Sequence, residues 1–196
     1  MKLKSLLAAM MLAAASMASH AVTFELVPVG TLEVGQSFDL QLHAVNPFQG
    51  QDPDESLLSF GFHLEFDTNM LQFGSFTVAA GFDNDSAGLG ANIFSASAFP
   101  FIDNAGQTDL LLGTLHFDAL RRGMTGVNLF TDASDLHRFQ GFSYLFADTI
   151  DLNASTGLTI APIPEPSTVM LMAGGLAGLA AWRRRSVKVA KQAETV

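Results

Sequence analysis

Two short acidic turns contain the residues whose types and spacing most directly suggest chemistry. Asp52, Asp54 and Glu55 form one cluster, and Asp83 and Asp85 form the other. Oxygen ligands at such close spacing are typical of calcium sites. Neither cluster matches the EF-hand loop, which has a glycine at its sixth position and a glutamate at its twelfth. The sequence therefore leaves calcium binding open as a hypothesis, and it favours the alternative of solvated turns.

Three histidines could bind a metal or act as bases. His43, His63 and His116 fall on the polar faces of predicted strands, with Glu65 and Asp118 two residues from the second and third. Neighbouring strands could bring these groups together as a zinc site. The alternative is separate, exposed imidazoles on a sheet surface. The absence of an HExxH-like spacing favours this alternative.

Other catalytic signatures are missing from the chain. The sequence contains no cysteine, which excludes a thiol nucleophile and thiolate metal ligands of its own. It has no Gly-x-Ser-x-Gly elbow and no phosphate-binding glycine loop. We therefore predict a protein without enzymatic activity and without a required cofactor.

The middle of the chain must supply the elements that position these side chains, and its hydrophobic residues alternate with period two. Such alternation is typical of half-buried strands. Turn-forming clusters, including Gly81–Gly90, separate the alternating segments. The pattern predicts an all-β sandwich of about nine strands, namely Thr23–Val27, Phe38–Ala44, Phe60–Phe66, Phe73–Val78, Asn92–Ala98, Leu111–Phe117, Gly126–Phe130, Phe142–Phe146 and Gly157–Ile160.

Charge is distributed very unevenly along the chain. Residues Val22–Ile163 contain 17 acidic side chains but only three basic ones, Arg121, Arg122 and Arg138, so this segment has a formal charge of −14. Nucleic-acid binding requires a basic face that neutralises phosphates. The composition excludes this class of partner and favours a solvated acidic surface, a cation-dependent surface or a basic partner.

The N-terminal segment has the three parts of a secretory signal peptide. Lys2 and Lys4 give a positive start, an apolar run follows, and Ser19 and Ala21 supply small residues at positions −3 and −1 of a cleavage site. We expect residues 1–21 to be removed and the mature chain to begin at Val22. The folded domain would then extend over residues 22–161, which is large enough for one hydrophobic core.

The C-terminal segment, residues 162–196, combines a short motif, an apolar run and a basic cluster. The motif is Pro164, Glu165 and Pro166; the apolar run is 167–182; and the cluster is Arg183, Arg184 and Arg185. As a helix the run is about 24 Å long, somewhat less than the roughly 30 Å of a bilayer core. Interfacial Trp182 and the arginines would help it to span, with the C-terminus in the cytoplasm.

This order of features resembles the PEP-CTERM signal of Gram-negative bacteria. The resemblance implies recognition by an exosortase, a membrane-embedded cysteine protease, and transient anchoring in the inner membrane. The protein would then be delivered from the periplasm to the cell surface or the extracellular matrix. The expected partners are accordingly the exosortase, the secretion machinery and the membrane.

A second resemblance covers most of the predicted sandwich. The segments Leu32–Leu42, Phe60–Phe73 and Leu112–Ala119 are similar to strands of cohesin domains, in which a Phe-Asp-x-x-x-Leu turn follows one strand. Asp67 and Leu71 match that turn, although capping and burial alone would also explain the spacing. The resemblance implies a jelly-roll sandwich related to carbohydrate-binding modules. Cohesins bind calcium-loaded dockerins, but no motif allows individual binding residues to be transferred.

Two functional hypotheses follow. The first is an exported, non-catalytic envelope or matrix protein whose sandwich serves adhesion through a protein or polysaccharide ligand. The alternative is a carbohydrate-binding module with a specific glycan ligand. Stacking on sugars commonly uses exposed aromatic side chains, whereas the predicted domain contains only Tyr144 and no tryptophan, so its phenylalanines are interpreted as core.

Overall fold

A computed structural model describes residues 22–132 and 140–163, together with positions 171, 172, 174–176 and 179. The chain divides into two compact units, Met1–Ala161 and Pro162–Val196. The first unit contains all the described strands, and the second covers the C-terminal segment.

The described residues form ten antiparallel strands. They are β1 (Thr23–Val29), β2 (Ser37–Val45), β3 (Ser56–Phe66), β4 (Leu71–Val78), β5 (Phe82–Asn84), β6 (Ile93–Asp103), β7 (Asp109–Ala119), β8 (Gly123–Phe130), β9 (Gly141–Tyr144) and β10 (Ala154–Ile160). One sheet has the order β1-β2-β7-β4, and the other has the order β10-β8-β3-β6-β5, with β9 also paired to β3. Strand β3 thus pairs with three others.

The core lies between the inner faces of the two sheets. Phe60, Phe62, Phe117 and Phe142 are among its largest fully buried side chains. Many of its rings pack edge to face, for example Phe60 against Phe82, with centroids 5.0 Å apart. The predicted all-β sandwich is confirmed, and its period-two burial is the reason that the sequence revealed it.

Two departures from the predicted strands have local causes. Strand β5 lies inside the segment predicted as a turn, where only three residues pair with β6. In β7, Leu42 pairs with Gly113 and His43 with Leu111, which leaves Leu112 as an extra residue. This bulge places Leu112 fully in the core and leaves Leu111 only partly buried, contrary to the simple alternation.

Several predictions concern residues outside those described. These are the signal peptide at 1–21, the motif at 164–166, the basic cluster at 183–185 and most of the apolar helix at 167–182. The six described positions of the predicted apolar helix are helical. Among the described residues, no helix has both the length and the apolar character needed to cross a membrane. The membrane-spanning helix stays a prediction.

Candidate functional site: an aromatic patch at one end of the sandwich

Four large apolar side chains are exposed near one end of the sandwich. Phe99 and Phe101 lie in β6, and Leu145 and Phe146 directly follow β9. Their exposed fractions are 83%, 42%, 40% and 74% in that order. We call these four residues the aromatic patch. Single exposed apolar residues are normal, but a group of them marks a candidate interaction surface.

A large irregularity in β6 exposes the two phenylalanines. Ser97 pairs with Ser59 and Ile102 with Leu57, so four residues of β6 lie opposite a single residue of β3. The extra length turns away from the ladder and contains a cis peptide bond between Phe99 and Pro100. The rings of Phe99 and Phe101 meet edge to face, with centroids 6.3 Å apart.

Strand pairing places the two halves of the patch on one face of the sheet. Leu57 pairs with Ile102 on one side and with Tyr144 on the other. Ile102 and Tyr144 both pack against the core, so the residues next to them, Phe101 and Leu145, point outward. With strands about 4.8 Å apart, these two residues lie on the order of 10 Å from each other.

Glu55 holds the second half of the patch in place. Its side chain is buried, and its Oε1 accepts hydrogen bonds from the amides of Ser56 (3.0 Å), Leu145 (2.9 Å) and Phe146 (3.0 Å). Its Oε2 accepts one from the amide of Ala147 at 2.8 Å. Four donors on one carboxylate fix the backbone from which Leu145 and Phe146 project.

These contacts also set the charge state of Glu55. Burial by itself raises the pKa of this carboxyl, but the amides of Phe146, Ser56, Ala147 and Leu145 outweigh it and lower the pKa below its ordinary value. Burial, and then the charge of Glu55, raise the pKa of the Tyr144 hydroxyl. The Glu55 clamp is therefore an anion at neutral pH.

Further hydrogen bonds connect the turn before β3 to both halves. The Ser56 hydroxyl donates to Asp103 at 3.0 Å, at the end of β6. The Asn104 side chain donates to the carbonyl of Asp52 at 3.0 Å, and the buried Tyr144 hydroxyl donates to the carbonyl of Pro47. This network fixes the backbone on both sides of the patch.

Three exposed carboxylates lie next to the patch, two along the chain and one in the adjoining turn. Asp103 follows Phe101 by two residues, Asp148 follows Phe146 by two, and Asp54 belongs to the adjoining turn, where a polar cleft is lined by Pro53, Asp54, Glu55 and Asp103. Arg121 and Arg122 are the basic residues among positions 22–132 and 140–163, and they lie in the β7–β8 turn, at the opposite end of β3. The patch is therefore apolar with a negative rim.

The residues of the first calcium candidate, Asp52, Asp54 and Glu55, make two different kinds of local contact. Asp52 Oδ1 accepts the amide of Asp54 at 3.0 Å, which is an ordinary turn contact, whereas the Glu55 oxygens are occupied by backbone amides. Within the described part of the chain, no three His, Asp or Glu side chains are close enough to hold a metal ion. Calcium binding here stays a prediction, and the geometry favours a structural use of Glu55.

The second calcium candidate lies at the edge of the larger sheet. Asp83 is in β5 opposite Ser97, and the amide of Asp85 donates to the carbonyl of Ser95 at 2.9 Å. Asn84 Oδ1 accepts the amide of Ser86 at 3.0 Å, which closes a local turn. Calcium binding at Asp83 and Asp85 likewise stays a prediction that these contacts do not require.

The three candidate histidines do not form one cluster. His43 and His116 lie in the four-stranded sheet, whereas His63 lies in the other sheet, stacked on Phe130 with ring centroids 5.4 Å apart. His43 Nδ1 is 2.8 Å from Asp109 Oδ1. The separation of the sheets removes the basis for the shared zinc site and agrees with separate sheet-face imidazoles.

His116 has a more elaborate environment. Its Nδ1 is 2.6 Å from Asp39 Oδ1, and its Nε2 is 3.2 Å from Thr77 Oγ1. The order Asp, His, Thr has the connectivity of a proton relay. His116 and Asp39 are nevertheless 40% and 42% exposed on an open sheet face, so water screens them, and Asp118 instead accepts the Ser37 hydroxyl at 2.6 Å.

Sequence reasoning missed the aromatic patch because it assigned the phenylalanines to the core. Among the described phenylalanines this is correct for most but wrong for Phe99, Phe101, Phe130 and Phe146. One signal was available: the sequence Phe-Pro-Phe at 99–101 interrupts the alternation of β6, and the predicted strand therefore ended at Ala98. The role of Glu55 had no comparable local signal.

Comparison with known protein families identifies the tail. The model of a PEP-CTERM protein-sorting motif matches residues 162–185, which include Pro164–Pro166 and Arg183–Arg185. No curated protein matches the chain in sequence.

Solved structures similar to the sandwich include cohesin modules. One, from a family 33 glycoside hydrolase of Clostridium perfringens ATCC13124, has a TM-score of 0.54 at 14% identity and covers 72% of this chain and 98% of its own. A type II cohesin of Acetivibrio cellulolyticus has a TM-score of 0.40 at 12% identity, covering 74% and 92%. A type I cohesin of Pseudobacteroides cellulosolvens has a TM-score of 0.39 at 14% identity, covering 74% and 96%.

At this identity the first of these similarities concerns the fold alone. Both resemblances found in the sequence are confirmed at that level: the chain carries a PEP-CTERM protein-sorting motif behind a sandwich with the fold of a cohesin module.

Proposed function

We propose that this is an exported, non-catalytic protein of the cell envelope or extracellular matrix, sorted by an exosortase-type system. Its sandwich serves adhesion by binding a macromolecular partner through the aromatic patch. In this proposal the sorting tail delivers the sandwich to the envelope or matrix. The aromatic patch then binds the partner there.

One observation carries the adhesive role. Leu145 and Phe146 are exposed although the clamp of Glu55 holds their backbone in place. Keeping large apolar groups in water lowers solubility and favours aggregation, so a rigid, exposed group of them is explained best by a partner that covers it. A backbone fixed in advance also reduces the entropy lost on binding.

The address follows from the two ends of the chain. Residues 162–185 carry the sorting motif, and residues 1–21 have the composition of a signal peptide. Cleavage after Ala21 would place the sandwich in the periplasm, and recognition of Pro164–Pro166 would pass it to the surface or the matrix.

Retention in the matrix tests this function. Host cells would produce the full chain, the double variant Phe99→Ser with Phe101→Ser, and the control Met124→Ser, which changes an 85% exposed residue outside the patch. We expect all three to be exported and processed at the same sites, with intact masses that differ only by the substituted side chains. The wild type and the control should remain with the envelope or matrix fraction, whereas the double variant should be released into the medium.

Two results would oppose the proposal in different ways. If the double variant were retained as well as the wild type, the patch would not be the adhesive surface. A product that keeps Met1 and stays in the cytoplasm would exclude export. Equal midpoints of urea unfolding for the three proteins would show that serine at these exposed positions has not altered the fold.

A further inference from the structure

We infer that the aromatic patch binds an extended protein segment in which lysine or arginine residues flank aliphatic or aromatic anchors. This inference rests on the proposed function, because it specifies the partner of the same surface. Three features of the patch point to this chemistry: its apolar side chains, its negative rim and an adjacent strand edge.

The apolar side chains define the anchors. Phe99 and Phe101 together present an edge-to-face pair of rings, and Phe146 projects separately from the clamped turn. Phenyl rings have no polar tip, so they gain by covering their faces with aliphatic groups or other rings. A partner side chain such as leucine or phenylalanine fits between Phe101 and Leu145, whose backbones are on the order of 10 Å apart.

The charge of the surroundings defines the flanking residues. Asp54, Asp103 and Asp148 are exposed at this end, and residues Val22–Ile163 have a formal charge of −14. A second copy of the chain, an anionic bilayer or an acidic polysaccharide would be repelled. Lysine and arginine can contact the phenyl rings and also pair with the carboxylates. Their aliphatic stems pack on the phenyl faces, and their cationic heads reach the carboxylates.

The exposed edge of β6 favours an extended conformation in the partner. Strand β5 pairs only with Ala96–Ala98, so the part of β6 that holds Phe99–Asp103 has no described strand on that side. An edge of this kind can accept an added strand, although Pro100 has no amide to donate. Recognition by strand addition combines main-chain hydrogen bonds with pockets for alternate side chains.

Synthetic dodecapeptides provide a direct test with the full chain. The probe alternates leucine with lysine; one control peptide has glutamate in place of lysine, and another has serine in place of leucine. We expect the leucine–lysine peptide to bind most tightly. Its affinity should fall about tenfold for Phe99→Ser with Phe101→Ser, as expected when central anchors are truncated, and should be unchanged for Met124→Ser.

Charge has its own controls. Asp54→Asn with Asp148→Asn keeps the side-chain shapes and removes two charges, so it should weaken the leucine–lysine peptide roughly twofold to fivefold. Raising the salt concentration should weaken wild-type binding and reduce this difference, because exposed charges are screened. Equal binding of the lysine and glutamate peptides would overturn the inference.

Further outcomes separate this inference from the proposed function. If peptide binding ignores the phenylalanine pair while matrix retention depends on it, the partner chemistry is wrong and the adhesive role survives. If the wild type binds a neutral glycan on an array and the double variant does not, the partner is a sugar. The inferred peptide chemistry would then be wrong, while the adhesive role would survive. If neither experiment depends on the pair, both proposals are overturned.

Discussion

At the scale of single residues, Glu55 decides the geometry of the patch. An unpaired buried carboxylate would be costly, yet four backbone amides solvate this one. Three of these amides belong to residues 145–147, which follow β9 and lie about 90 positions further along the chain. The residue predicted as a calcium ligand is thus used as an anion that closes a turn.

Glu55→Gln should destabilise the protein at neutral pH. The glutamine side chain has one acceptor oxygen and turns an NH₂ group toward amides that also donate, so at least one buried donor is left unpaired. We expect a lower midpoint of urea unfolding at pH 7 for this variant. Glu65→Gln, which changes an exposed side chain of β3, should leave the midpoint nearly unchanged.

The pH dependence should identify the carboxylate as the cause. Because folding lowers the pKa of Glu55, its stabilisation is fully present above the ordinary glutamate value of 4.5 and is lost as pH falls through the lowered pKa. The free energy of unfolding of the wild type should therefore fall toward that of Glu55→Gln in acid. A difference that stays constant down to pH 3 would contradict the clamp.

At the scale of elements, irregularities in the strands shape both the core and the surface. The long bulge of β6 exposes Phe99 and Phe101, whereas the single extra residue of β7 buries Leu112. Beside that second bulge, Gly113 lets β7 and β4 approach closely: a Cβ there would lie 2.5 Å from the ring of Phe76 and 2.8 Å from the carbonyl oxygen of Thr77. A ring can shift, but the backbone of a paired strand cannot do so easily.

Gly113→Ala should therefore destabilise the sandwich by about 1–3 kcal/mol, as typical of overpacking in a dense core. Gly157→Ala in β10 is the matched control, because a Cβ at that position would meet nothing within 4 Å. Urea unfolding of the two variants measures the difference. Equal stabilities would mean that β4 relaxes away from β7 without cost.

At the scale of the whole molecule, the acidic residues and the sorting signals occupy different parts of the chain. The acidic residues concentrate in the sandwich, whereas every lysine lies in the terminal segments. This arrangement gives the sandwich a field that repels acidic surroundings, while the arginines at 183–185 follow the predicted membrane helix, where positive charge would orient it. The predicted delivery and the proposed adhesion should therefore respond to different substitutions.

Replacement of Pro164, Glu165 and Pro166 by alanine should block sorting without affecting the sandwich. We expect wild-type protein at the surface or in the matrix to begin at Val22, and the triple variant to stay in the inner-membrane fraction with Val196 retained. Intact mass of both fractions measures the outcome. Normal delivery of the triple variant would show that the motif at 164–166 is not the sorting signal.

The sequence by itself determined the fold class, the sorting tail and the acidic character of the sandwich. Each of these can be read from neighbouring residues or from composition. The evidence is the alternation of apolar residues, a short motif followed by an apolar run, and a count of charges, respectively. Phe60 and Phe62 reveal their burial through their immediate neighbours, because a strand exposes every second residue to one face.

Only the tertiary structure decided the candidate site. Phe101 and Leu145 lie on one face because β3 pairs with β6 and β9 together, and Glu55 acquires its role from amides far along the chain. Local spacing could not predict these facts, since strand order and register are set by the packing of the whole core. For the same reason the three histidines, alike in sequence context, are divided between two sheets.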